Sequence, residues 1–122
     1  MSRGNSYEHL TESISLVKVV SDMDVYDASS VRTVVVDLLK QGRFFLVVDL
    51  TASDMLDSTG VGVLVGALKR VHGHAGALAL VVTSERMLTQ FRVTGLAKVF
   101  AIFPTVDQAV EFLGREGLRT DG

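Results

Sequence analysis

The amino-acid sequence predicts an α/β layered domain, with a mixed, mostly parallel sheet of about four to five strands packed with about four helices. Three observations predict it. Short continuous apolar runs recur along the chain, as expected of strands buried on both faces. Stretches with apolar residues at i, i+3, i+4 and i+7 lie between those runs. Cap and stop residues mark most of the boundaries. With 122 residues and 48% apolar content, the chain suits one compact domain. A chain of this size hides roughly two thirds of its unfolded surface, so it needs no disulfide or metal to hold together.

Residues 7–10 and 14–20 read as the first two strands, an antiparallel hairpin near one edge. Ile14, Leu16, Val17, Val19 and Val20 give the second its β-forming character. Val31, Val34, Val35 and Leu38 set the first helix, with Ser29 or Ser30 as cap and Gly42 as stop. The run F-F-L-V-V-D-L over 44–50 is the next strand. Val61, Leu64, Val65 and Leu68 set the second helix, which opens directly after M-L-D-S-T-G. The run A-L-A-L-V-V over 77–82 is another buried strand. Met87, Leu88 and Phe91 mark a short helix between Ser84 and Gly95. Residues 99–103 form the last strand. Val106, Ala109, Val110 and Leu113 set the last helix, which Gly114 ends. Its start carries a capping box, Thr105-x-x-Gln108. The order is therefore β-β-α-β-α-β-α-β-α. In such sheets the functional crevice lies beyond the carboxyl ends of the strands. Asp57-Ser58-Thr59-Gly60 follows a central strand and opens a helix, so it stands at that address.

Composition excludes several chemistries. The chain has no cysteine, which removes disulfides, zinc–thiolate sites and a thiol nucleophile, and suits a cytoplasmic protein. A formal net charge of −2 with scattered basic residues gives no electrostatic case for nucleic acid. No apolar run approaches the roughly 20 residues of a membrane span, and residues 1–6 lack the apolar stretch of a signal peptide. Gly60-x-Gly62 lacks the third glycine of a dinucleotide fingerprint, and no lysine stands where a phosphate-binding loop requires it. Ser58 is not in a nucleophile elbow. His72 and His74 would point apart on a helix and suit its negative end, so neither a metal nor any cofactor is expected.

Asp57 and Ser58 are both good helix N-caps. One reading is that either side chain simply accepts a bond from a free backbone N–H. The other is that Ser58 is modified, because a helix N-terminus can hold a phosphate. Asp54 and Asp57 would repel such a phosphate, and both readings can hold at once. Met55, Leu56, Val61 and Val63 flank the loop, and not all of them can face inward. Apolar surface around an exposed hydroxyl suits a partner-binding patch.

V-V-D-L-T-A-S-D-M-L-D-S-T-G-V-G-V-L-V-G-A-L-K-R-V over 47–71 resembles the signature of bacterial anti-sigma factor antagonists, which are single STAS domains. The likeness extends to S-D-M-D-V-Y-D-A-S-S-V-R-T-V-V over 21–35 and to residues 87–113. It covers 5–116 and leaves 1–4 and 117–122 as loose tails.

The resemblance implies a partner switch that is not an enzyme. The unphosphorylated antagonist binds an anti-sigma factor that is also a serine kinase, and a sigma factor is released. Phosphorylation of the serine after the motif's aspartate, here Ser58, ends the binding, and a PP2C-type phosphatase resets it. Asp24, Asp57, Ser58, Thr59, Gly60 and Gly62 are the partner-contact residues it implies, in a cytoplasmic monomer or weak dimer. For Gly60 and Gly62, turn geometry and helix packing are equally good reasons. Three departures stand out: Ser21-Asp22 replaces the family's Gly-Glu, Ser29-Ser30 replaces a proline before the first helix, and Thr59 replaces a serine. A STAS scaffold in a larger assembly, stress-sensing or transporter-associated, is the alternative role.

Overall fold

A computed structural model describes residues 6–23 and 25–121 of the chain. Five strands form one sheet in the order of the sequence: β1 (Ser6–His9), β2 (Ile14–Lys18), β3 (Phe45–Asp49), β4 (Ala77–Val81) and β5 (Ala101–Phe103). β1 pairs antiparallel with β2, and every other pairing is parallel. Among the described residues, four α-helices accompany them, α1 (Val25–Lys40), α2 (Ser58–Gly73), α3 (Glu85–Thr94) and α4 (Val106–Asp121), with a 3-10 turn at Leu96–Lys98. The expected order and the edge position of the hairpin are both found.

Right-handed crossovers that advance one strand at a time must keep α1, α2 and α3 on the same face of the sheet. Their buried side chains, Val31, Val35, Leu64, Val71, Met87 and Phe91 among them, meet Val17, Leu46, Val48, Leu78 and Leu80. The opposite face carries Leu16, Val47, Ala79 and Val81, which α4 covers with Ala109 and Leu113. Because both faces are covered, β3 and β4 read in the sequence as unbroken apolar runs.

Two expected helix boundaries are corrected. α1 begins at Val25, ahead of Ser29 and Ser30, so neither serine caps it. The Ser21 hydroxyl donates to Asp27 Oδ2 (2.8 Å) and accepts from Met23 N–H (3.3 Å), which turns the chain into the helix early. An acidic residue in the first turn also suits the positive end of the helix. At the other end of the chain, α4 runs through Gly114 to Asp121, where a stop and a loose stretch were expected. A helical glycine costs about 1 kcal/mol. Packing on the sheet outweighs it here: Leu113 is buried, and Gly117 lies over the Phe45 ring, 3.9 Å from where a Cβ would stand.

Arg43 ties the hairpin to the body. Its guanidinium donates to the buried Ser15 hydroxyl (2.9 Å) and to the carbonyls of Thr11 (2.6 Å), Glu12 and Ile14 (2.9 Å). His74 closes α2 and stacks on Phe44, with ring centroids 4.4 Å apart.

Candidate functional site

The site lies where β3 ends at the carboxyl edge of the sheet. The loop 50–57 leads from β3 to α2; Leu50 N–H still bonds the Val81 carbonyl of β4 (2.9 Å), and beyond it the backbone polar groups need other partners. The Leu50 carbonyl accepts the Ser53 N–H (2.9 Å), and side chains supply most of the rest. Asp49 Oδ1 accepts the N–H (2.9 Å) and hydroxyl (2.7 Å) of Thr51. Asp54 N–H donates to Asp22 Oδ1 (2.7 Å) in the loop after β2, and the Ser53 hydroxyl donates to the Ser21 carbonyl. From the other side, the Ser84 hydroxyl donates to the Asp54 carbonyl (2.7 Å), and Arg86 pairs with the Asp54 carboxylate (3.0 Å). Leu56 donates its N–H to Gln90 Oε1 (3.1 Å) and accepts Gln90 Nε2 at its carbonyl.

Asp57 then caps α2. Its backbone is extended (φ −88, ψ −177), and its Oδ1 accepts the Gly60 N–H at 3.0 Å. The capping role thus falls to Asp57 and leaves Ser58 free for another. Ser58 is the first residue of α2 and is exposed, and its hydroxyl makes no hydrogen bond with the described residues. Around it, Leu56 and Val63 are buried, while Met55 and Val61 are only half-buried. Val20 and Tyr26 add exposed apolar surface at the same edge of the sheet.

The expected contact residues divide by exposure. Asp57, Ser58 and Gly62 reach solvent, and Thr59 does so in part. Gly60 faces inward, and a Cβ there would stand 3.2 Å from Leu56 Cδ2 and 3.5 Å from Met23 Cβ, which is the helix-packing reason for a glycine. It is the packing glycine of the pair, whereas Gly62 has open space above it. Asp24 lies outside the described residues. Sequence reasoning missed the residues that hold the loop: Asp22, Ser53, Ser84 and Gln90. The one signal in the chain was Ser21-Asp22, a departure from the family pattern that proves to grip the site.

The electrostatics are uneven. The first turn of α2 holds no acidic residue, and the carboxylate of its cap, Asp57, faces its free N–H groups and positive dipole end. The Asp54 charge is partly offset by Arg86, an exposed pair that adds little stability. Among the described residues, no three acidic or histidine side chains gather as a metal site, and no helix is long and apolar enough to cross a membrane.

Comparison with known proteins fits this geometry. The STAS domain family pattern matches residues 9–109. The anti-sigma-B factor antagonist of Bacillus subtilis is 38% identical over 86 residues, which are 70% of this chain and 78% of that relative. An anti-sigma factor antagonist from Mycobacterium paratuberculosis has the same fold, with a TM-score of 0.79 at 24% identity over 89% of this chain and 92% of the other. The Bacillus cell fate determinant SpoIIAA, solved in its phosphorylated form, gives a TM-score of 0.70 at 20% identity over 88% of this chain and 97% of the other. At such identities the two solved structures establish the fold, and the family pattern and the Bacillus subtilis relative establish the kinship. This chain belongs to the STAS domain family, among its anti-sigma factor antagonists.

Proposed function

We propose that this protein is the switch of a partner-switching system. Unphosphorylated, it binds an anti-sigma factor that is also a serine kinase, and a sigma factor goes free. Phosphorylated on Ser58, it leaves the kinase until a PP2C-type phosphatase removes the phosphate. The observation that carries this reading is the Ser58 hydroxyl, exposed and without a hydrogen bond to any described residue, on the first residue of a helix that Asp57 already caps. The relatives named as antagonists of an anti-sigma factor supply the kind of partner.

The chemistry asks little of this chain. A kinase brings Mg-ATP and the group that orients the hydroxyl, and the γ-phosphoryl passes to Ser58 Oγ as its proton leaves. Ser58 needs no base beside it, and this protein acts as substrate and switch rather than as an enzyme. It uses no cofactor of its own and works in the cytoplasm, where a sigma factor acts. The added phosphate carries about −1.5 to −2 charges. The start of α2 can hold part of that charge, and Asp57 opposes it. Burying the dianion among Met55, Val61 and a close partner costs desolvation, and each 1.4 kcal/mol weakens binding about tenfold.

The test is to incubate the protein with ATP and the kinase-type anti-sigma factors of its source genome, then map phosphate by mass spectrometry. We expect one phosphate, on Ser58, absent in Ser58→Ala. No phosphorylation by any of these kinases, or phosphate on Thr59 alone, contradicts the proposal and favours a scaffold role.

A further inference from the structure

α3 reaches the acceptor loop with the side chains of Ser84, Arg86 and Gln90. Gln90 does something the other two do not. Its carboxamide meets both backbone polar groups of one residue: Oε1 accepts the Leu56 N–H at 3.1 Å, and Nε2 donates to the Leu56 carbonyl. That is the pairing an adjacent strand would offer, supplied by a side chain where the sheet has ended. The Leu56 side chain is 1% exposed, so the residue is held through its side chain and both its polar groups. Ser58 follows two positions later, beyond the Asp57 cap. α3 itself is anchored independently, by Met87 and Phe91 in the core and by Ser84 as its cap. The Gln90 amide is therefore not what keeps α3 in place.

We propose that Gln90 is a positioning residue for Ser58: its carboxamide, bridging both backbone groups of Leu56, holds the acceptor loop in the conformation that a kinase receives. The inference rests on the reading of Ser58 as the phosphate acceptor. A loop that samples other conformations binds its kinase more weakly by the fraction of time it spends away from the right one. Losing the bridge therefore raises KM and leaves kcat near its wild-type value once the complex forms.

The test uses the full chain and three variants. Gln90→Leu removes both bonds at similar volume. Gln90→Glu keeps an acceptor for the Leu56 N–H but sets a carboxylate against the Leu56 carbonyl, and it serves if Gln90→Leu fails to fold. Thr94→Ala is the control, because the Thr94 hydroxyl bonds the Gln90 backbone carbonyl (2.8 Å) at the end of the same helix and does not touch the loop. Amide exchange on the isolated proteins should show Leu56 N–H exchanging about tenfold faster without the amide, as for loss of one net hydrogen bond. The amides of the α2 interior should keep their rates. Steady-state phosphorylation by a kinase-type anti-sigma factor should show KM raised about tenfold in Gln90→Leu, with Thr94→Ala like wild type. Unchanged Leu56 exchange overturns the bridge. Faster exchange with unchanged KM overturns the positioning role and leaves Ser58 as acceptor. A wild-type chain that no kinase phosphorylates overturns the Ser58 reading and the positioning role with it.

Discussion

The starts of α2 and α4 carry the same local chemistry in different settings. Each follows a parallel strand at the carboxyl edge of the sheet, and each is capped by a side-chain oxygen. Asp57 Oδ1 takes the Gly60 N–H at 3.0 Å, and Thr105 Oγ1 takes the Gln108 N–H at 3.2 Å. Only Pro104 and Thr105 lie between β5 and α4. Residues 50–57 lie between β3 and α2, and Asp49, Asp22, Ser84, Arg86 and Gln90 all hold that stretch. The capping box before α4 was the plainest mark in the sequence, and Thr105 there caps a helix that follows its strand almost at once. A cap does not make a site. What sets the start of α2 apart is a longer loop, held from two neighbouring segments, with a hydroxyl at its end that bonds no described residue.

Substitutions can break or sharpen this contrast. The largest effect on stability belongs to Leu56→Ala, which empties a buried position in the loop before α2. It should cost about 2–5 kcal/mol, read as a shift in the denaturant midpoint. A loss under about 1 kcal/mol would mean that the loop is not anchored in the core. Next come Asp57→Ala and Thr105→Ala, each removing one cap bond for about 1 kcal/mol. Thermal melts should place the two variants close together, while only Asp57→Ala alters Ser58 phosphorylation. If Thr105→Ala altered it equally, the two helix starts would not differ in function. The smallest effect is the reverse in sign. Gly62→Ala adds a methyl into open space on an exposed helix face, so it should stabilise by up to about 1 kcal/mol. Yet it should weaken partner binding, because it fills the close-approach surface beside Ser58. Unchanged affinity in a titration would remove Gly62 from the interface.

Much of this was legible in the chain because it is local. Ser84 and Gly95 bracket α3 as read, since a cap and a left-handed glycine act within one turn. The runs at 44–50 and 77–82 are β3 and β4 because burial on both faces leaves no alternation to misread. The start of α1 was missed although Ala28, 1% exposed, extends the apolar stripe one step back from Val31. The deciding bonds there join Ser21 to Asp27 and Met23 across a turn that no period describes. The place of Ser58, at the start of a helix that follows a central strand, was legible from the chain. Gly60 and Gly62 looked alike in the sequence, and only the packing of Met23 and Leu56 against the first separates them. The Asp22 and Gln90 bonds to the loop before α2 span 32 and 34 residues, and no local pattern carries such pairings.

The central claim is that charge on Ser58 decides the partnership. Its direct measurement is the calorimetric affinity of the kinase-type anti-sigma factor for this protein before and after stoichiometric phosphorylation of Ser58, with the fold monitored by circular dichroism. The account predicts binding weaker by about a hundredfold or more in the phosphorylated protein, an effect of about 3 kcal/mol, with the fold unchanged. Equal affinity of the two forms would contradict it.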